Sequence, residues 1–356
     1  MLQILTGDCR ETLAEVGDGH AQCCVTSPPY WGLRDYGTAT WEGGSADCDH
    51  LADRSAYETN FADSKQATNK GTGNRDIIPH GVCPNCGAIR IDSQLGLEAN
   101  PQDYVDAMVG IFKEVKRVLR KDGTLWLNLG DTYSTQRWTK KGETKTDAQP
   151  MNKMKDTHRS IAPIKESGLP DKNLVGIPWR VAFALQADGW YLRQDIIWHK
   201  PNPMPEPVTD RCTKSHEYMF LFSQSPKYYY NHEAISEPAV YAGDDRGART
   251  DNRRGEPMCN SISGATGEMR NKRSVWSITT KPYKDAHFAA FPEDLISPCI
   301  LAGSKAGDVI LDPFAGSGTT GKVAINNGRK ALLCELNPDY VNLIKQRTNT
   351  TIGFGF

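Results

Sequence analysis

The fold is decided by the segment Val309-Ile310-Leu311-Asp312-Pro313-Phe314-Ala315-Gly316-Ser317-Gly318-Thr319-Thr320-Gly321. Its apolar residues predict a short buried strand, which runs into a glycine-rich turn that opens a helix. Gly316 and Gly318 permit positive φ angles and a close approach of the backbone to a ligand. The next predicted strand, Ala331 to Cys334, ends at Glu335. A carboxylate there can accept both hydroxyl groups of a ribose, so the pattern favours a site for an adenosine-containing cofactor.

One alternative applies to this segment. It could be an ordinary strand, turn and helix in which Asp312 is only a cap. It is not a P-loop, because the Gly-Lys-Ser/Thr ending is missing.

Along the chain, predicted strands alternate with predicted helices, which indicates an α/β fold with a mostly parallel sheet and helices on both faces. A helix from Pro101 is expected to end at Lys121-Asp122-Gly123, since glycine commonly terminates helices. Further strands are predicted at residues 23–25, 124–129, 191–199 and 216–223, and further helices at residues 178–187, 292–301 and 338–347.

A second motif follows the apolar strand Cys23-Cys24-Val25 and reads Thr26-Ser27-Pro28-Pro29-Tyr30. Two prolines cannot continue a central strand, so the motif forms a stiff loop at the carboxyl end of that strand. The Pro28 carbonyl and the Ser27 hydroxyl offer two acceptors, and Tyr30 offers a flat ring. Such a set suits the exocyclic amino group of a planar base. A proline-stiffened turn with a buried tyrosine is the alternative for this motif taken alone.

Together the two motifs resemble those of the amino-methylating DNA methyltransferases, which transfer methyl from S-adenosylmethionine to N4 of cytosine or N6 of adenine. The catalytic motif precedes the cofactor motif, and a large variable region separates them, which resembles the beta-class order. The resemblance extends to Gly7-Asp8, to Trp198-His199-Lys200-Pro201-Asn202 and to His287-Phe288-Ala289-Ala290-Phe291-Pro292. It implies a Rossmann-like S-adenosylmethionine-dependent methyltransferase fold with a circularly permuted motif order and irregular insertions.

The resemblance also implies roles for single residues. Glu335 would hold the ribose of the cofactor, and Asp8 would contact its adenine. Asp312, Phe314, Gly316 and Gly318 would line the methionine end of the cofactor, Thr319 is a further cofactor-binding residue, and Phe288 and Pro292 belong to the segment that closes over the cofactor. Ser27, Pro28 and Tyr30 would hold the target base, with Pro29 as the remaining residue of the catalytic motif, and the base would flip out of the duplex and stack on the tyrosine.

The target base follows from the first residue of the catalytic motif. An acidic residue there is typical of the adenine enzymes, whereas Ser27 after Thr26 resembles the cytosine-N4 signature. We therefore predict a site-specific cytosine-N4 DNA methyltransferase, with adenine-N6 as the alternative. A protein glutamine or an RNA base is a less favoured acceptor, because glutamine methylators resemble Asn-Pro-Pro-Tyr and usually keep the cofactor motif first. The remaining alternative is a zinc-stapled nucleic-acid-binding protein with a weak or inactive methylase domain.

The stretch from Trp31 to Ile91 lacks apolar periodicity and is interpreted as an insertion. It contains Cys48-Asp49-His50 and Cys83-Pro84-Asn85-Cys86-Gly87, and a Cys-x2-Cys followed by glycine is typical of a zinc-knuckle turn. Four nitrogen and sulfur ligands suit a closed, tetrahedral structural zinc site, which would explain how an insertion without an apolar core folds. The predicted ligands are Cys48, His50, Cys83 and Cys86. His80 could replace His50, and four unrelated side chains in a loop are the alternative.

These patterns divide the chain into four parts. Residues 1–30 and 92–236 form the catalytic part of the methyltransferase domain, 31–91 the zinc-stapled insertion, 237–275 a target-recognition segment, and 276–356 the cofactor-binding part. Basic residues could contact DNA phosphates both between Lys140 and Arg159, beside Trp138, and between Arg246 and Arg273. Because acidic residues are interspersed in both stretches, solvated surface loops are the alternative.

The composition narrows the class of protein. Among 356 residues, 42 are Lys or Arg and 43 are Asp or Glu, so the formal net charge is −1, which excludes a globally basic nucleic-acid coat but not a local basic cleft. No apolar run approaches the ~20 residues of a membrane helix, and the N-terminal residues do not resemble a signal peptide. We expect a cytoplasmic protein of a bacterial or phage-infected cell, with cysteines that are mostly reduced thiols or metal ligands. Its expected partner is double-stranded DNA, and the sequence leaves open whether it has a cognate restriction endonuclease or forms a homodimer.

Overall fold

The computed structural model describes residues 1–32, 40–48, 50–53, 75–77, 82–83, 85–91, 94–134, 167–239, 269–280 and 291–352. Within them the strands are β1 (Leu2–Thr6), β2 (Ala21–Thr26), β3 (Thr40–Glu42), β4 (Leu51–Asp53), β5 (Arg75–Ile77), β6 (Ile89–Ile91), β7 (Leu119–Leu129), β8 (Tyr191–His199), β9 (His216–Ser223), β10 (Glu237–Pro238), β11 (Met269–Arg270), β12 (Val275–Ser277), β13 (Val309–Asp312) and β14 (Lys330–Glu335). The helices are α1 (Cys9–Thr12), α2 (Pro101–Val118), α3 (Ile177–Ala187), α4 (Glu293–Gly303), α5 (Thr319–Asn326) and α6 (Pro338–Ile352).

The central sheet has eight strands in the order β1-β14-β13-β2-β7-β9-β8-β12. The five strands from β1 to β7 are parallel to their neighbours, and β12 is parallel to β8. The prediction of a mixed α/β fold with a mostly parallel sheet is therefore confirmed. The exception is β9, which runs antiparallel to both β7 and β8. As a result, the amino end of β9 lies at the same edge of the sheet as the carboxyl ends of the other strands.

Helix α2 begins as the sequence predicts but ends earlier. The side chain of Asn100 accepts a hydrogen bond of 3.0 Å from the Asp103 N–H, as an N-cap does. The helix stops at Val118 rather than at Lys121-Asp122-Gly123, so that expectation was wrong. The amide of Gln224 explains the earlier end, because it donates to the carbonyls of Lys116, Leu119 and Arg120 and so satisfies backbone acceptors that the end of the helix leaves open.

The chain divides into two compact units. Unit 1 comprises residues 1–28, 105–131 and 177–356 and contains the central sheet. Its core is formed by side chains from β2, β7, β8, β9, β13 and β14 and from helices α4 and α5. Apolar burial on both faces of the sheet explains why β13 and β2 are near-continuous hydrophobic runs.

Unit 2 comprises residues 29–104 and 132–176. Its described residues include two small antiparallel ribbons, β3 with β6 and β4 with β5. The predicted insertion therefore contains short regular strands beside its irregular stretches. In the part of the chain that the structure describes, none of the helices has the length and apolarity to cross a membrane.

Candidate active site at the carboxyl edge of the sheet

Four neighbouring strands of unit 1 end at one edge of the sheet. The strands β1, β14, β13 and β2 are parallel and adjacent, so their carboxyl ends lie side by side. Those ends carry Gly7, Glu335, Asp312 and Thr26, and the Gly7 N–H donates to the Glu335 carbonyl at 2.9 Å. The sheet thus brings together residues that the sequence analysis took from its two separate motifs. In open α/β sheets, ligands bind at this kind of edge.

Asp312 links the two motifs within unit 1. Its carboxylate is 1% exposed and accepts from the hydroxyls of Thr26 and Thr320, both at 2.6 Å, and from the Phe314 N–H at 3.0 Å. Burial raises the pKa of Asp312, and these three hydrogen bonds act in the opposite direction. The Thr320 hydroxyl also lies 3.2 Å from the Val25 carbonyl. Asp312 thus joins the end of β2 to the glycine-rich turn.

Glu335 holds the glycine-rich turn from the other side. Its carboxylate accepts from the Gly316 N–H at 2.7 Å and from the Asn337 N–H at 2.9 Å. The pKa of Glu335 is raised to about 7, because burial and the nearby charge of Asp312 raise it by more than the backbone donors lower it. Desolvation is the largest of these effects because the side chain lies in the protein interior. The carboxyl group therefore changes its charge in the neutral pH range.

Helix α6 fixes the remainder of the turn. Gly318 has φ +77°, and a Cβ there would lie 2.9 Å from a side-chain carbon of Ile344, so only glycine fits. Arg347 donates to the Ser317 carbonyl at 2.7 Å and also binds the Ser317 hydroxyl. Thr319, which opens α5, is buried and lies 3.3 Å from the same guanidinium. Sequence analysis missed Arg347, because no local pattern connects α6 to the turn.

Asp8 and Pro292 both cap helices. Asp8 is the N-cap of α1, and its carboxylate accepts from the Arg10 N–H at 2.9 Å and forms an ion pair with the Arg10 side chain. Burial raises the pKa of Asp8, but hydrogen bonds and the charge of Arg10 outweigh it and lower the pKa overall. Pro292 is the N-cap residue of α4, and Phe288 lies outside the described residues.

The catalytic loop continues from unit 1 into unit 2. Ser27 and Pro28 end the segment that belongs to unit 1, and Ser27 is partly exposed. In unit 2, the Tyr104 hydroxyl donates to the Pro29 carbonyl at 2.9 Å. A Cβ at Gly96 would lie 2.7 Å from the carbonyl oxygen of Tyr30, and Gly96 has φ +89°. These contacts fix the loop backbone, and the sequence analysis identified neither Tyr104 nor Gly96.

Beyond β7, the same edge of unit 1 carries basic side chains. Lys200 forms an ion pair with Glu217, whose carboxylate also accepts from the Asn128 amide at 3.3 Å. Lys214 donates to the Asp131 carbonyl at 2.8 Å, and burial lowers the pKa of this lysine. The pKa of the nearby His216 is also lowered, mainly by burial and next by the charge of Lys214. We call Lys200, Lys214 and His216 the basic edge.

The other basic stretches are only partly described. Lys140 to Arg159 and Arg246 to Arg254 lie outside the described residues. Arg270 and Arg273 both form ion pairs with Glu237, at 3.0 and 2.6 Å, and so are engaged within unit 1. The contacts of these two arginines therefore do not support a role in phosphate binding.

Three cysteines and one histidine of unit 2 converge. One side-chain donor atom from each of Cys48, His50, Cys83 and Cys86 lies within 4.8 Å of the other three. The Sγ atoms of Cys48 and Cys83 are 3.8 Å apart, and Cys86 Sγ is 3.5 Å from Nδ1 of His50. Backbone N–H groups of Ser45 and Ala88 donate to Cys86 and lower the pKa of its thiol to about 6. The structure therefore brings together all four predicted metal ligands, with His50 as the histidine, whereas His80 lies outside the described residues.

Comparisons with known proteins identify the family to which the sequence is similar. A family model described as DNA methylase (N6/N4) matches residues 21–346. The chain is 39% identical over 345 residues to the type II methyltransferase M.Cfr9I of Citrobacter freundii, covering 97% of this chain and 86% of that protein. It is 40% identical over 345 residues to M.SmaI of Serratia marcescens, covering 97% and 90%.

Two solved structures share the fold. The PvuII cytosine-N4-specific DNA methyltransferase has a TM-score of 0.56 at 17% identity and covers 97% of this chain and 86% of its own. A putative DNA modification methylase from Thermus thermophilus, complexed with S-adenosyl-L-methionine, has a TM-score of 0.53 at 21% identity and covers 99% and 96%. At these identities the likeness concerns the fold alone.

Proposed function

The chain belongs to the N6/N4 family of amino-methylating DNA methylases, and from this premise we propose that it methylates N4 of cytosine at a specific site in double-stranded DNA, with S-adenosyl-L-methionine as the methyl donor. The relatives M.Cfr9I and M.SmaI are named type II methyltransferases. We further propose that this chain has a functional partner, a restriction endonuclease that cleaves at the same DNA sequence.

The main structural support for methyl transfer is the hydrogen bond between Thr26 and Asp312. It joins the residue before Ser27 to the residue immediately before the glycine-rich turn, at 2.6 Å and in the interior of unit 1. A methyl acceptor held at Ser27 and a methyl donor held along the turn would then be close neighbours. Transfer between two bound molecules requires this kind of positioning, which contributes much of the rate enhancement of such reactions.

The residues of the turn fit S-adenosyl-L-methionine. Gly316 has φ +52°, and a Cβ there would meet no described atom within 4 Å, so its backbone leaves room for a ligand. The Glu335 carboxylate has about four acceptor positions, of which the N–H groups of Gly316 and Asn337 use two. The others can accept the ribose hydroxyls. The bound cofactor would supply an electrophilic methyl group on a sulfonium.

The catalytic loop would activate the amino group of the target base. An aromatic amino nitrogen is a poor nucleophile, because its lone pair is delocalised into the ring. If the Ser27 hydroxyl and the Pro28 carbonyl accept its two N–H groups, the nitrogen becomes pyramidal and its lone pair turns to the methyl group. The Tyr30 ring would stack on the flipped base. The contribution of the protein is then positioning and electrostatic stabilisation, and no covalent intermediate is needed.

The choice of cytosine rests on Ser27. Cytosine-N4 enzymes of the family resemble this chain in having serine before Pro-Pro-Tyr, whereas an acidic residue is typical of the adenine enzymes. A serine hydroxyl can both accept from an amino group and donate to a ring nitrogen. Adenine N6 remains the second candidate, because it requires the same fold, the same cofactor and the same geometry at the amino nitrogen.

DNA would approach along the carboxyl edge of unit 1. The basic edge of Lys200, Lys214 and His216 continues this edge beyond β2 and β7. Lysines bind phosphate groups as point charges, so we assign Lys214, which forms a hydrogen bond with a backbone carbonyl, to the DNA backbone near the flipped base. Residues 237–275 keep the proposed role in target recognition, and this part of the proposal rests on their place in the sequence.

Nucleoside mass spectrometry on plasmid DNA from cells that express the full chain tests the function. N4-methylcytosine supports the proposal, and its absence in a Tyr30→Ala strain ties the product to this protein. N6-methyladenine would overturn the choice of base and keep the methyl transfer. If the protein binds S-adenosyl-L-methionine but no methylated base appears, DNA is not the acceptor.

A further inference from the structure

We propose that unit 2 binds one zinc ion in a closed tetrahedral site formed by Cys48, Cys83, Cys86 and His50, with His50 coordinating through Nδ1. The four donor atoms lie within 4.8 Å of one another. This proposal is independent of the methyl transfer, because it concerns a different part of the chain and a different chemistry.

Two of the six distances between the donor atoms match those of a zinc tetrahedron. A Zn–S bond of about 2.3 Å places two sulfur ligands about 3.8 Å apart at the tetrahedral angle. The Sγ atoms of Cys48 and Cys83 are 3.8 Å apart. With a Zn–N bond of about 2.05 Å, a sulfur and a nitrogen ligand lie about 3.6 Å apart. The observed distance between Cys86 Sγ and His50 Nδ1 is 3.5 Å. Two unlike edges of the tetrahedron thus have the lengths that zinc requires.

A disulfide does not explain this arrangement. Bonded sulfurs are about 2.05 Å apart, well below the 3.8 Å between Cys48 and Cys83. A disulfide between two of the cysteines would also not explain why the third thiol and the imidazole lie beside them. Three sulfurs and one nitrogen are a frequent ligand set of structural zinc, and four protein ligands leave no open position for catalysis.

The backbone around the ligands is shaped for thiolates. N–H groups of Ser45 and Ala88 donate to Cys86, and the His50 N–H donates to Cys48. The turn itself is closed by hydrogen bonds from the Gly87 N–H to the Cys83 carbonyl at 2.8 Å and from the Cys83 N–H to the Ala88 carbonyl at 2.7 Å. Such outer hydrogen bonds orient ligands and neutralise part of the charge of a metal-bound sulfur.

His50 adopts an uncommon backbone conformation, and its ring is held by a neighbouring side chain. Its φ is +51°, which is uncommon for a residue other than glycine. Trp41 stacks on its ring, with centroids 4.5 Å apart and planes at 16°, and so fixes the ring orientation. The strained backbone and the stacked ring together direct Nδ1 to Cys86. A backbone outlier of this kind points to a functional constraint.

The site accounts for the folding of this part of unit 2. The core cluster around it consists of Cys83 and Ala88, with Trp41, Cys48 and Cys86 packed against it. Among the residues that the structure describes here, these apolar groups are too few to hold the segment by burial alone. Gly44 is packed so tightly that a Cβ would lie 2.7 Å from Cys86 Sγ. Metal coordination supplies the missing stabilisation, as in other small zinc modules.

Elemental analysis of the full chain, purified without chelators, tests the proposal. We expect about one zinc per chain in the wild-type protein. Cys83→Ser and His50→Ala should each reduce the content at least fivefold. Cys212→Ser is the matched control, because Cys212 is an exposed free cysteine outside the cluster, and it should retain the metal. Less than half an equivalent of zinc in wild-type protein, or iron in its place, would overturn the proposal without any variant.

Replacement of the metal by cobalt tests the ligand set. Three thiolates and one imidazole should give the visible bands of tetrahedral cobalt together with a thiolate charge-transfer band in the near ultraviolet. His80→Ala should leave both the spectrum and the zinc content unchanged. If His80→Ala loses the metal while His50→Ala retains it, the assignment of His50 is wrong. Octahedral cobalt bands would contradict the closed site.

Discussion

The Thr26 hydroxyl donates a hydrogen bond of 2.6 Å to the buried carboxylate of Asp312, although the two residues are 286 positions apart in the sequence. Thr26 ends β2 immediately before Ser27, and Asp312 ends the neighbouring parallel strand β13 immediately before the glycine-rich turn. One contact therefore couples the loop assigned to the target base with the turn assigned to the cofactor. Changes at either residue should affect both stability and methyl transfer.

Replacement of Thr26 by valine should destabilise unit 1 by about 2 kcal/mol, because the buried Asp312 carboxylate loses a charge-assisted donor. The same change should lower kcat for methyl transfer, because the end of β2 is released from the turn. Urea denaturation and single-turnover methylation measure the two effects. Thr26→Ser retains the hydroxyl and should recover most of both.

The matched control for this prediction is Thr348→Val. Thr348 is fully buried, but its hydroxyl donates to carbonyls of its own helix, Ile344 at 2.8 Å and Lys345 at 3.3 Å. Its loss should cost less than about 1 kcal/mol and leave kcat unchanged, because no ionised group loses a donor. Equal effects of the two valine variants would show that the Thr26–Asp312 contact has no special role.

Local sequence patterns predicted most elements of unit 1. The strands at residues 191–199 and 216–223 were predicted to the residue, and the helices beginning near Pro101, Pro178 and Pro338 were confirmed. Bounded apolar runs and capping residues are local signals, so they can be recognised without tertiary information. The direction of β9 could not be predicted this way, because strand pairing depends on contacts between distant segments.

The candidate site was predictable only in part for the same reason. The sequence motifs identified Asp312 and Glu335, since each follows an apolar strand. Their hydrogen-bond partners, such as Thr320 and Arg347, are set by packing between separate elements and carry no local signature. The cluster of Cys48, His50, Cys83 and Cys86 was recognisable because cysteine spacing is itself a pattern, and the structure brings these four side chains together.

Replacement of Tyr30 by alanine should lower kcat for methyl transfer by one to two orders of magnitude, since stacking of a base on an aromatic ring contributes about 1–3 kcal/mol. The affinity for S-adenosyl-L-methionine should stay within about twofold. Tyr30→Phe keeps the ring and should retain most of the activity. Transfer assays and cofactor titrations separate the two effects, and unchanged transfer in the alanine variant would exclude the stacking role.

Tyr104 is predicted to be a positioning residue for the catalytic loop. Tyr104→Phe removes the hydroxyl that donates to the Pro29 carbonyl at 2.9 Å, inside unit 2. We expect kcat to fall about three- to tenfold at saturating substrates, with KM for DNA and the affinity for the cofactor little changed. Gly96→Ala should have a larger effect, because its Cβ would displace the Tyr30 carbonyl. If Tyr104→Phe changes only the melting temperature, the residue is merely structural.

Glu335 should make stability and cofactor binding depend on pH in opposite directions. Its folded pKa of about 7 lies above the ordinary value of 4.5, so the folded state binds this proton more tightly than the unfolded state. Its stabilising contribution is present below about pH 4.5 and is lost as pH rises through 7, by an amount on the order of 3 kcal/mol. Binding of the ribose hydroxyls requires the ionised form, so the cofactor should bind more weakly as pH falls from 8 to 6.

Glu335→Gln provides the comparison, because glutamine does not titrate. Both pH dependences should be flattened in this variant, whatever its absolute stability and affinity. Urea denaturation and isothermal titration with S-adenosyl-L-methionine between pH 5 and 8 measure them. If the wild-type protein and the Glu335→Gln variant keep the same slopes, another group is responsible for the titration.

Lys214 should contribute to DNA affinity rather than to the chemical step. Its ammonium lies at the edge that carries the ends of β7, β8 and β9, where it donates to the Asp131 carbonyl at 2.8 Å. Lys214→Met keeps a side chain of similar length without the charge. We expect weaker DNA binding at low salt and a salt dependence of the affinity that is reduced by about one phosphate contact. The value of kcat at saturating DNA should stay the same, since the lysine is assigned no contact with the reacting atoms.

Lys330→Met is the matched control, because Lys330 is exposed at the opposite end of β14. Equal losses of affinity in the two variants would mean that the net charge of the protein, and not the basic edge, determines DNA binding.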